Sequence, residues 1–302
     1  MGDILNFSRD FITTIMADSF HDLEKIITAN VTRALAEDIG QEDLTALLIP
    51  AEARGSAGVI TREEGVICGT AWFERCFTEL DPDCDIFWHA KDGDVVTAGA
   101  PLCEISGNAR AMLTAERCAL NFLQTLSAVA TQTRHYVEAI KGTAARICDT
   151  RKTLPGLRMA QKYAVRAGGG LNHRMGLFDA ILIKENHILA AGSIAAALQA
   201  AQSLVKHAAP AETMIEIEVE NLAQLKEALD HGATLILLDN FDLSTLRAAV
   251  DLNRERAQLE ASGGIHLENV RAIAETGVQR ISVGALTKNI RAQDLSMRFK
   301  VH

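Results

Sequence analysis

From residue 142 onward, short apolar segments alternate with amphipathic segments of helical spacing, and this alternation restricts the possible folds more than any other feature. Strand, helix, strand in steady succession predicts a parallel sheet covered by helices. The later strands end about 22 residues apart, which suits one strand–helix unit, so we favour a (β/α) barrel or a near relative over an open sheet. The predicted strands are residues 146–149, 180–184, 214–219, 234–239, 258–262 and 280–284.

The first hundred or so residues lack this regular alternation; their mixture of strand and helix patterns predicts a small α+β domain. Residues 56–69 read as a hairpin with a turn at Glu63-Glu64-Gly65. A long helix is predicted from Ala109, with a break near Ser127. The glycines after Lys91 resemble the turn of a biotinyl or lipoyl carrier module, but no matched second half follows, and a structural turn explains them better.

Composition excludes several classes of function. Lys and Arg number 30 against 39 Asp and Glu, a net charge of −9, which argues against a general nucleic-acid surface. The six cysteines form no C-x-x-C pair and are predicted to be reduced thiols. Residues 1–10 lack the apolar core of an export signal, and the alanine-rich run 188–205 is too short and polar to cross a bilayer. A cytoplasmic protein without a membrane or nucleic-acid partner is therefore expected.

Residues 149–187 concentrate positive charge in this acidic chain, with seven Lys or Arg against three Asp or Glu. This contrast predicts an anionic ligand. Three of the cations, Arg158, Lys162 and Arg166, recur at helical spacing and are predicted to form a solvated or subunit-facing helix surface.

Charged residues and glycines stand where the predicted strands end. In a (β/α) barrel these positions open onto one mouth, where active sites of this fold lie. His173 and Arg174, which follow a glycine triplet, are predicted to reach the same mouth as donors to an anion. The strand-end residues are Asp149, Arg151, Lys152, Lys184, Glu218, Asp239, Ser262, Gly263, Gly264 and Gly284.

Two further patterns sharpen this prediction. Glu216, Glu218 and Glu220 alternate with aliphatic residues, so they are predicted to point into the barrel, where carboxylates need cations or a metal as partners. The glycine turns at 262–264 and 282–285 follow the last two strands, where barrels often bind phosphate through backbone N–H groups.

Taken together, these residues resemble those of the quinolinate phosphoribosyltransferase family. The resemblance covers nearly the whole chain. It is carried by Asp149-Thr150-Arg151-Lys152-Thr153, Gly168-Gly169-Gly170, Asn172-His173-Arg174, Ile183-Lys184-Glu185-Asn186-His187, Glu216-Ile217-Glu218-Val219-Glu220, Leu238-Asp239-Asn240, Glu260-Ala261-Ser262-Gly263-Gly264, Ser282-Val283-Gly284-Ala285-Leu286-Thr287 and Thr114-Ala115-Glu116-Arg117.

The resemblance implies a fold and a reaction. The fold is α/β, an N-terminal α+β sandwich domain over residues 1–115 followed by an incomplete, seven-stranded-type parallel (β/α) barrel over 116–287, with a tail at 288–302 that returns to the first domain. The implied reaction joins quinolinate to 5-phosphoribosyl 1-pyrophosphate with Mg²⁺ as cofactor. It releases pyrophosphate and carbon dioxide and gives nicotinate mononucleotide for NAD biosynthesis. The family also implies at least a homodimer, with Arg117 offered to the partner subunit's site.

The implied site roles agree with the chemistry of the side chains. Guanidinium groups of Arg151, Arg174 and Arg117 suit the adjacent carboxylates of quinolinate, helped by His173 and Lys184. Lys152 would meet the pyrophosphate. Glu218 and Asp239 would hold the ribose hydroxyls or Mg²⁺. The catalytic set is Arg151, Lys152, Lys184, Glu218 and Asp239, and the remaining substrate-binding residues are Thr150, Ser262, Gly263, Gly264, Val283, Gly284 and Ala285.

Three alternatives stay open at this point. A lysine at a barrel strand end, here Lys184, is also the typical nucleophile of a Schiff-base aldolase. A related pyridine phosphoribosyltransferase that does not decarboxylate would share the fold. A non-catalytic sensor or carrier of a phosphorylated metabolite would share the basic mouth, although inward carboxylates beside it argue against that hypothesis.

Overall fold

The computed structural model describes residues 22–208, 210 and 213–301. The segment on which the expected lack of an export signal rests, residues 1–10, lies outside them. The chain forms two units. The first contains the described residues of Met1–Gln132, Leu154–Gly169 and Asn289–His302, and the second contains those of Thr133–Thr153 and Gly170–Lys288.

The elements are named in chain order. The first half contains α1 (Leu23–Ile39), β1 (Arg54–Thr61), β2 (Gly65–Val66), α2 (Thr70–Leu80), β3 (Asp85–Trp88), β4 (Val95–Val96), β5 (Pro101–Asn108), α3 (Ala109–Ala139) and β6 (Arg146–Cys148). The second half contains α4 (Arg158–Ala167), β7 (Ala180–Ile183), α5 (Glu185–Ala191), α6 (Ile194–His207), β8 (Met214–Val219), α7 (Leu222–Asp230), β9 (Leu235–Asp239), α8 (Leu243–Asn253), β10 (Gln258–Ser262), α9 (Leu267–Ala274), β11 (Arg280–Ser282), α10 (Ala285–Lys288) and β12 (Leu295–Val301).

An antiparallel sheet in the order β12-β1-β5-β3 forms the centre of the first unit. Alternate residues of β1 are buried, as period-two burial of one sheet face requires. Trp72, Phe73 and Phe77 of α2 are buried in the same unit. The predicted α+β sandwich is therefore confirmed.

The predicted hairpin at residues 56–69 is wrong. β1 pairs with β5 and with β12, whereas β2 pairs with β4 in a separate two-stranded sheet. The turn at Glu63–Gly65 thus joins strands of different sheets, because the hydrogen-bonding partners of β1 lie far away in the sequence.

The predicted break in α3 near Ser127 is also wrong, since the helix runs without interruption over 31 residues. The Ser127 hydroxyl accepts the Cys68 N–H at 2.9 Å and donates to the Cys68 carbonyl at 3.2 Å. Because the hydroxyl bonds outside its own helix, it does not compete with the helical hydrogen bonds.

Six parallel strands in the order β6-β11-β10-β9-β8-β7 form the sheet of the second unit. From β7 to β11 each strand lies beside the next, and β6 lies beside β11, which is the order of a barrel left open between β6 and β7. An isolated parallel bridge between Cys148 and Leu171 extends the β6 side. The incomplete parallel barrel is confirmed, with six described strands rather than the seven that the resemblance implies.

Local sequence explains where the barrel helices begin. Ser193, Asn221 and Asp242 precede α6, α7 and α8, and each side chain accepts the backbone N–H three residues later, at 3.1, 3.0 and 2.7 Å. These N-caps satisfy donors that the helix itself leaves without a partner.

The predicted solvated stripe on α4 holds for Arg166 and is wrong for Lys162. Arg166 is exposed and Arg158 is half-buried, but Lys162 is fully buried. Each step of four residues rotates the side chain by about 40° around a helix, so the stripe crosses from one face to another. Because α4 also buries Ala160, Gln161, Ala164 and Val165, most of its circumference is covered.

Among the described residues no single helix is both long and apolar enough to cross a membrane; only α5 and α6 taken together, bent by 94°, meet the length and composition test.

Candidate active site at the carboxyl ends of the parallel strands

The residues predicted from the strand ends do follow the carboxyl ends of the barrel strands. Parallel strands point the same way, so their carboxyl ends meet at one edge of the sheet. In chain order the residues are Thr150, Arg151 and Lys152 after β6, Lys184 after β7, Glu218 as the penultimate residue of β8, Asp239 ending β9, Ser262, Gly263 and Gly264 at the end of β10, and Val283, Gly284 and Ala285 after β11.

Arg151 and Arg174 form the cationic part of the site. Burial, and after it the positive charge of Arg151, lowers the pKa of Arg174. One Arg174 Nη donates to the carbonyl of Ala180 at 3.1 Å, and Arg151 Nε is buried without a hydrogen-bond partner in the described part of the chain. Neither guanidinium has an ion-pair partner among the described residues. Two adjacent cations with unused donors form a site for an anion with two acidic groups.

Lys184, Glu218 and Asp239 form the mixed-charge part. Lys184 Nζ lies 2.6 Å from Glu218 Oε2. Burial and the negative charge of Glu218 raise the pKa of Asp239, while Lys184, Lys152 and a hydrogen bond from Asn240 oppose this rise. A Schiff-base nucleophile must attack a substrate carbonyl, whereas the contact with Glu218 directs Lys184 Nζ toward that carboxylate. The geometry therefore disfavours the aldolase alternative.

Asn240 links the turns that follow β9 and β10. Its side-chain amide donates to Asp239 at 2.7 Å, and its backbone N–H donates to the carbonyl of Ser262 at 2.9 Å. Asn240 adopts a left-handed conformation with φ 58°. A side chain on Gly263 would approach Asn240 Cγ to 2.7 Å, and Gly263 itself has φ 96°. This glycine is therefore required by its neighbour Asn240, whatever its role toward phosphate.

His173 lies in a buried network behind the mouth. Its Nε2 is 2.7 Å from Glu216 and 3.7 Å from Glu260, and its Nδ1 accepts the N–H of Arg174 at 2.8 Å. Burial lowers the pKa of His173, but the hydrogen bond to Glu216 and the charge of Glu260 outweigh burial and raise it overall. Both ring nitrogens are used inside the protein, with Nε2 carrying the proton in this hydrogen-bond arrangement. The role of His173 as a donor to an anion stays a prediction.

Glu260 and Arg280 complete this network; the sequence named Glu260 only within a motif and gave Arg280 no role. Arg280 Nε lies 2.5 Å from Glu260 Oε2, and Ser282 also donates to Glu260. Burial raises the pKa of Glu216, and the charge of Glu260 adds to this effect. The available signal was an opposite-charge pair on neighbouring strands, because Glu260 and Arg280 are register partners in β10 and β11.

Asp149 was predicted from the sequence as a strand-end residue at the mouth, and in the structure its side chain makes internal hydrogen bonds instead. It is fully buried, and its carboxylate accepts the Asn172 side chain at 2.6 Å and the His173 N–H at 2.8 Å. Asp149 therefore anchors the segment that carries Arg174.

Metal ligation is possible at two places in this region. His173, Glu216 and Glu260 have ligand atoms within 4.8 Å of one another. Both carboxylates there already have an internal partner, Arg280 for Glu260 and His173 for Glu216, whereas in the pair Glu218 and Asp239 only Glu218 has an ion-pair partner in the described residues. The predicted pair, Glu218 and Asp239, has the hard oxygen donors that Mg²⁺ prefers, together with the mutual repulsion seen at Asp239.

Two predicted residues lie apart from these groups. Glu220 follows the end of β8 and is exposed, so the inward row predicted for β8 is limited to Glu216 and Glu218. Arg117 is exposed on α3 in the first unit.

A parallel strand–helix array whose mouth gathers guanidinium groups, a lysine–carboxylate pair and glycine turns defines a barrel enzyme that acts on anionic substrates. Comparison with known proteins narrows this class. The family model for the quinolinate phosphoribosyl transferase C-terminal domain matches residues 129–298, and the model for its N-terminal domain matches residues 43–127. The chain therefore belongs to the quinolinate phosphoribosyltransferase family.

Individual relatives agree. The chain is 44% identical over 261 residues to a probable nicotinate-nucleotide pyrophosphorylase (carboxylating) of Bacillus subtilis (strain 168), covering 86% of this chain and 89% of that protein. It is 40% identical over 282 residues to quinolinate phosphoribosyltransferase (decarboxylating) 2a, mitochondrial, of Nicotiana tabacum, covering 88% and 80%. The structure of the nicotinate-nucleotide pyrophosphorylase from Francisella tularensis matches with a TM-score of 0.87 and 46% identity, covering 91% and 96%.

Proposed function

We propose that this chain transfers the phosphoribosyl group of 5-phosphoribosyl 1-pyrophosphate to quinolinate and removes one carboxyl group as carbon dioxide, giving nicotinate mononucleotide for NAD biosynthesis. Family membership supports the reaction. The observation in the structure that carries the proposal is the pair Arg151 and Arg174, two neighbouring guanidiniums that form no direct ion pair in the described residues, although the charges of Asp179 and Glu216 act on Arg174. Quinolinate carries two adjacent carboxylates, which such a pair suits.

The reaction divides the site by charge. Arg151 and Arg174 orient the pyridine so that its nitrogen faces C1 of the ribose. Lys152 meets the pyrophosphate that leaves, and the turns at 262–264 and 283–285 hold the 5-phosphate through backbone N–H groups. Glu218 and Asp239 hold the ribose hydroxyls or Mg²⁺ beside the carbon at which positive charge develops.

Decarboxylation follows from the bond just formed. Once the pyridine nitrogen is cationic, the electron pair left by carbon dioxide on the adjacent ring carbon is stabilised, and that carbon then takes up a proton. The guanidiniums hold the carboxylates in place by geometry. Their task is orientation, because neutralising the departing carboxylate would oppose its loss.

We also propose Mg²⁺ as the cofactor, with Glu218 and Asp239 as the residues that would hold it. Two carboxylates at neighbouring strand ends, one with a raised pKa, fit a hard divalent cation. When bound, Mg²⁺ would offset the negative charge of the pyrophosphate group.

The direct test is incubation with quinolinate, 5-phosphoribosyl 1-pyrophosphate and Mg²⁺, followed by measurement of nicotinate mononucleotide and carbon dioxide. Product is expected from quinolinate and little from nicotinate. The reverse preference would contradict decarboxylation and support the related pyridine phosphoribosyltransferase.

Arg174→Ala should impair quinolinate use far more than folding. The matched control is Lys226→Met, which removes the charge of an exposed lysine on α7 and should leave quinolinate use unchanged. Trapping of a substrate adduct on Lys184 by borohydride would instead support the aldolase.

We further propose a homodimer or larger assembly in which Arg117 of the partner subunit completes each site. The exposure of Arg117 on α3 leaves its guanidinium available to a second copy. Chains carrying Arg117→Ala and chains carrying Lys184→Ala should each be inactive. When they are mixed, about a quarter of the sites in a two-fold dimer should regain both residues. An inactive mixture that has exchanged subunits would contradict the sharing of Arg117.

A cytoplasmic location is proposed as well, and the state of the cysteines supports it. Cys68, Cys76, Cys103, Cys118 and Cys148 are buried free thiols, and Cys84 is a half-buried one. Such thiols are typical of a reducing compartment.

A further inference from the structure

Thr287 forms a hydrogen bond to Lys152, one of the predicted site residues. It lies in α10, directly after the last glycine turn, and is fully buried. Its hydroxyl donates to the backbone carbonyl of Lys152 at 2.8 Å, across 135 residues of sequence. A buried hydroxyl that bonds to the backbone of a residue at the mouth links two strand-end segments, those after β6 and β11.

Lys152 is held through its backbone and through the space around its side chain. Its N–H donates to the Thr150 hydroxyl at 3.1 Å. Its side chain passes over Gly284, where an added Cβ would lie 3.1 Å from Lys152 Cδ and 3.9 Å from Nζ. Thr287 fixes the carbonyl of the same peptide segment, so the main chain of Lys152 is restrained on both sides.

The Lys152 ammonium itself has no such restraint. Lys152 is exposed, and no ion pair within 4.0 Å holds its Nζ in the described residues, although its charge acts on Asp239. A flexible lysine keeps several side-chain bonds free to rotate. The direction in which the ammonium enters the mouth therefore depends mainly on its backbone and on the clearance over Gly284.

We infer that Thr287 is a positioning residue for Lys152, holding the Lys152 carbonyl so that the ammonium points to where the pyrophosphate group is bound. The inference rests on the proposed function, in which Lys152 meets that group. Thr287 is buried behind the segment and acts through Lys152 without touching substrate. Gly284 has a second role in this arrangement, since it leaves the path of the Lys152 side chain open.

Three variants test the inference by steady-state kinetics with each substrate varied in turn. Thr287→Val keeps the shape and removes the donor, Thr287→Ser keeps the donor, and Thr287→Ala also removes the donor should Thr287→Val fail to fold. The Val variant should lose about tenfold in kcat/KM for 5-phosphoribosyl 1-pyrophosphate, the order expected when a catalytic group is slightly misplaced. Its KM for quinolinate should stay within about twofold, and the Ser variant should restore activity toward both substrates.

A double-mutant cycle separates positioning from general destabilisation. In a Lys152→Met background, Thr287→Val should cause no further loss, because the group that it positions is gone. An equal loss in both backgrounds would overturn the inference, as would wild-type kinetics of a folded Thr287→Val or Thr287→Ala protein. Failure of the proposed function is distinguishable from these outcomes, since the unmodified protein would then form no nicotinate mononucleotide.

Discussion

Arg280→Met tests the buried network that supports the mouth. The side chains of Arg280 and Glu260 are 4% and 0% exposed, and their ion pair spans 2.5 Å. Methionine has a similar length without a charge, so the substitution removes the cation and leaves little empty space. Glu260 would then share the interior with Glu216, and only His173 and the Ser282 hydroxyl would remain beside it.

The magnitude follows from the burial of the remaining carboxylate. Removing one partner of a buried ion pair costs about 3–5 kcal/mol. In the parent protein Arg280 Nη2 is buried without a partner in the described residues, and such a buried donor costs about 1–3 kcal/mol of desolvation. Arg280→Met removes this donor and so regains part of that free energy. We therefore expect the free energy of unfolding of the second unit to fall by about 3 kcal/mol. Glu260→Gln combined with Arg280→Met removes both charges and should cost less than Arg280→Met alone.

Amide hydrogen exchange measures this loss locally, which matters in a chain of two units because a single unfolding transition cannot be assumed. The slowest amides of β10 and β11 should exchange faster in Arg280→Met by the factor that corresponds to the lost free energy. A loss below about 1 kcal/mol would refute the assumption that the pair is desolvated. A double variant less stable than the single one would refute the assignment of the cost to an uncompensated carboxylate.

The same pair has a defined pH dependence. Burial raises the pKa of Glu260, but the charges of Arg280 and His173 and the hydrogen bonds from Ser282 and Arg280 together outweigh burial and hold the pKa below its ordinary value of 4.5. Stability from this group is therefore present above that ordinary value and is lost as the pH falls through the folded-state pKa. In Arg280→Met only His173 and Ser282 still oppose the effect of burial on the Glu260 pKa, and protonation of Glu260 removes the buried charge. The stability difference between variant and parent should accordingly shrink from pH 7 to pH 4, and a constant difference would contradict the electrostatic account.

Two further substitutions test contacts that explain individual residues. Gly263→Ala should lower kcat/KM by about tenfold or more, because its Cβ would overlap the Asn240 side chain and φ 96° strains any other residue. Gly264→Ala, which has φ 60° and no atom within 4 Å of its Cβ, should be milder, and equal effects would exclude the Asn240 contact as the cause. Ser127→Ala should lower the free energy of unfolding of the first unit by about 1–3 kcal/mol, since the Cys68 N–H and carbonyl both lose their partner. An unchanged denaturant midpoint would contradict this.

Regular features with a local cause were predictable from the sequence. The barrel strands and helices follow from hydrophobic period and capping residues such as Ser193 and Asp242, all of which act within a few positions. The pairing of β1 was not predictable in this way. Its partner β12 includes Val301, which pairs with Gly55, and no local pattern reports a contact across that separation.

Single side chains of the site show the same contrast between features that the sequence predicts locally and contacts that only the folded chain brings about. Once the strands are assigned, the positions of Lys184, Glu218 and Asp239 follow, because parallel strands bring their carboxyl ends together. The pairing of Lys184 with Glu218 needs only that neighbouring strand ends carry opposite charges. The chemical role of each residue depends further on its hydrogen-bond and ion-pair partners in the folded chain.

His173 illustrates why residue type alone is insufficient. An imidazole beside Arg174 suggests a second donor to an anion, and its spacing after the glycine triplet places it near the mouth. In the folded chain one ring nitrogen accepts the N–H of Arg174 and the other meets Glu216, so a hydrogen bond from His173 to substrate requires one of these contacts to break. Glu216 depends in turn on Glu260 and Arg280, whose charges balance only because β10 and β11 are neighbours in register. The chemistry of His173 is therefore set by residues up to 107 positions away, and the Arg280→Met variant perturbs it without altering any group at the mouth.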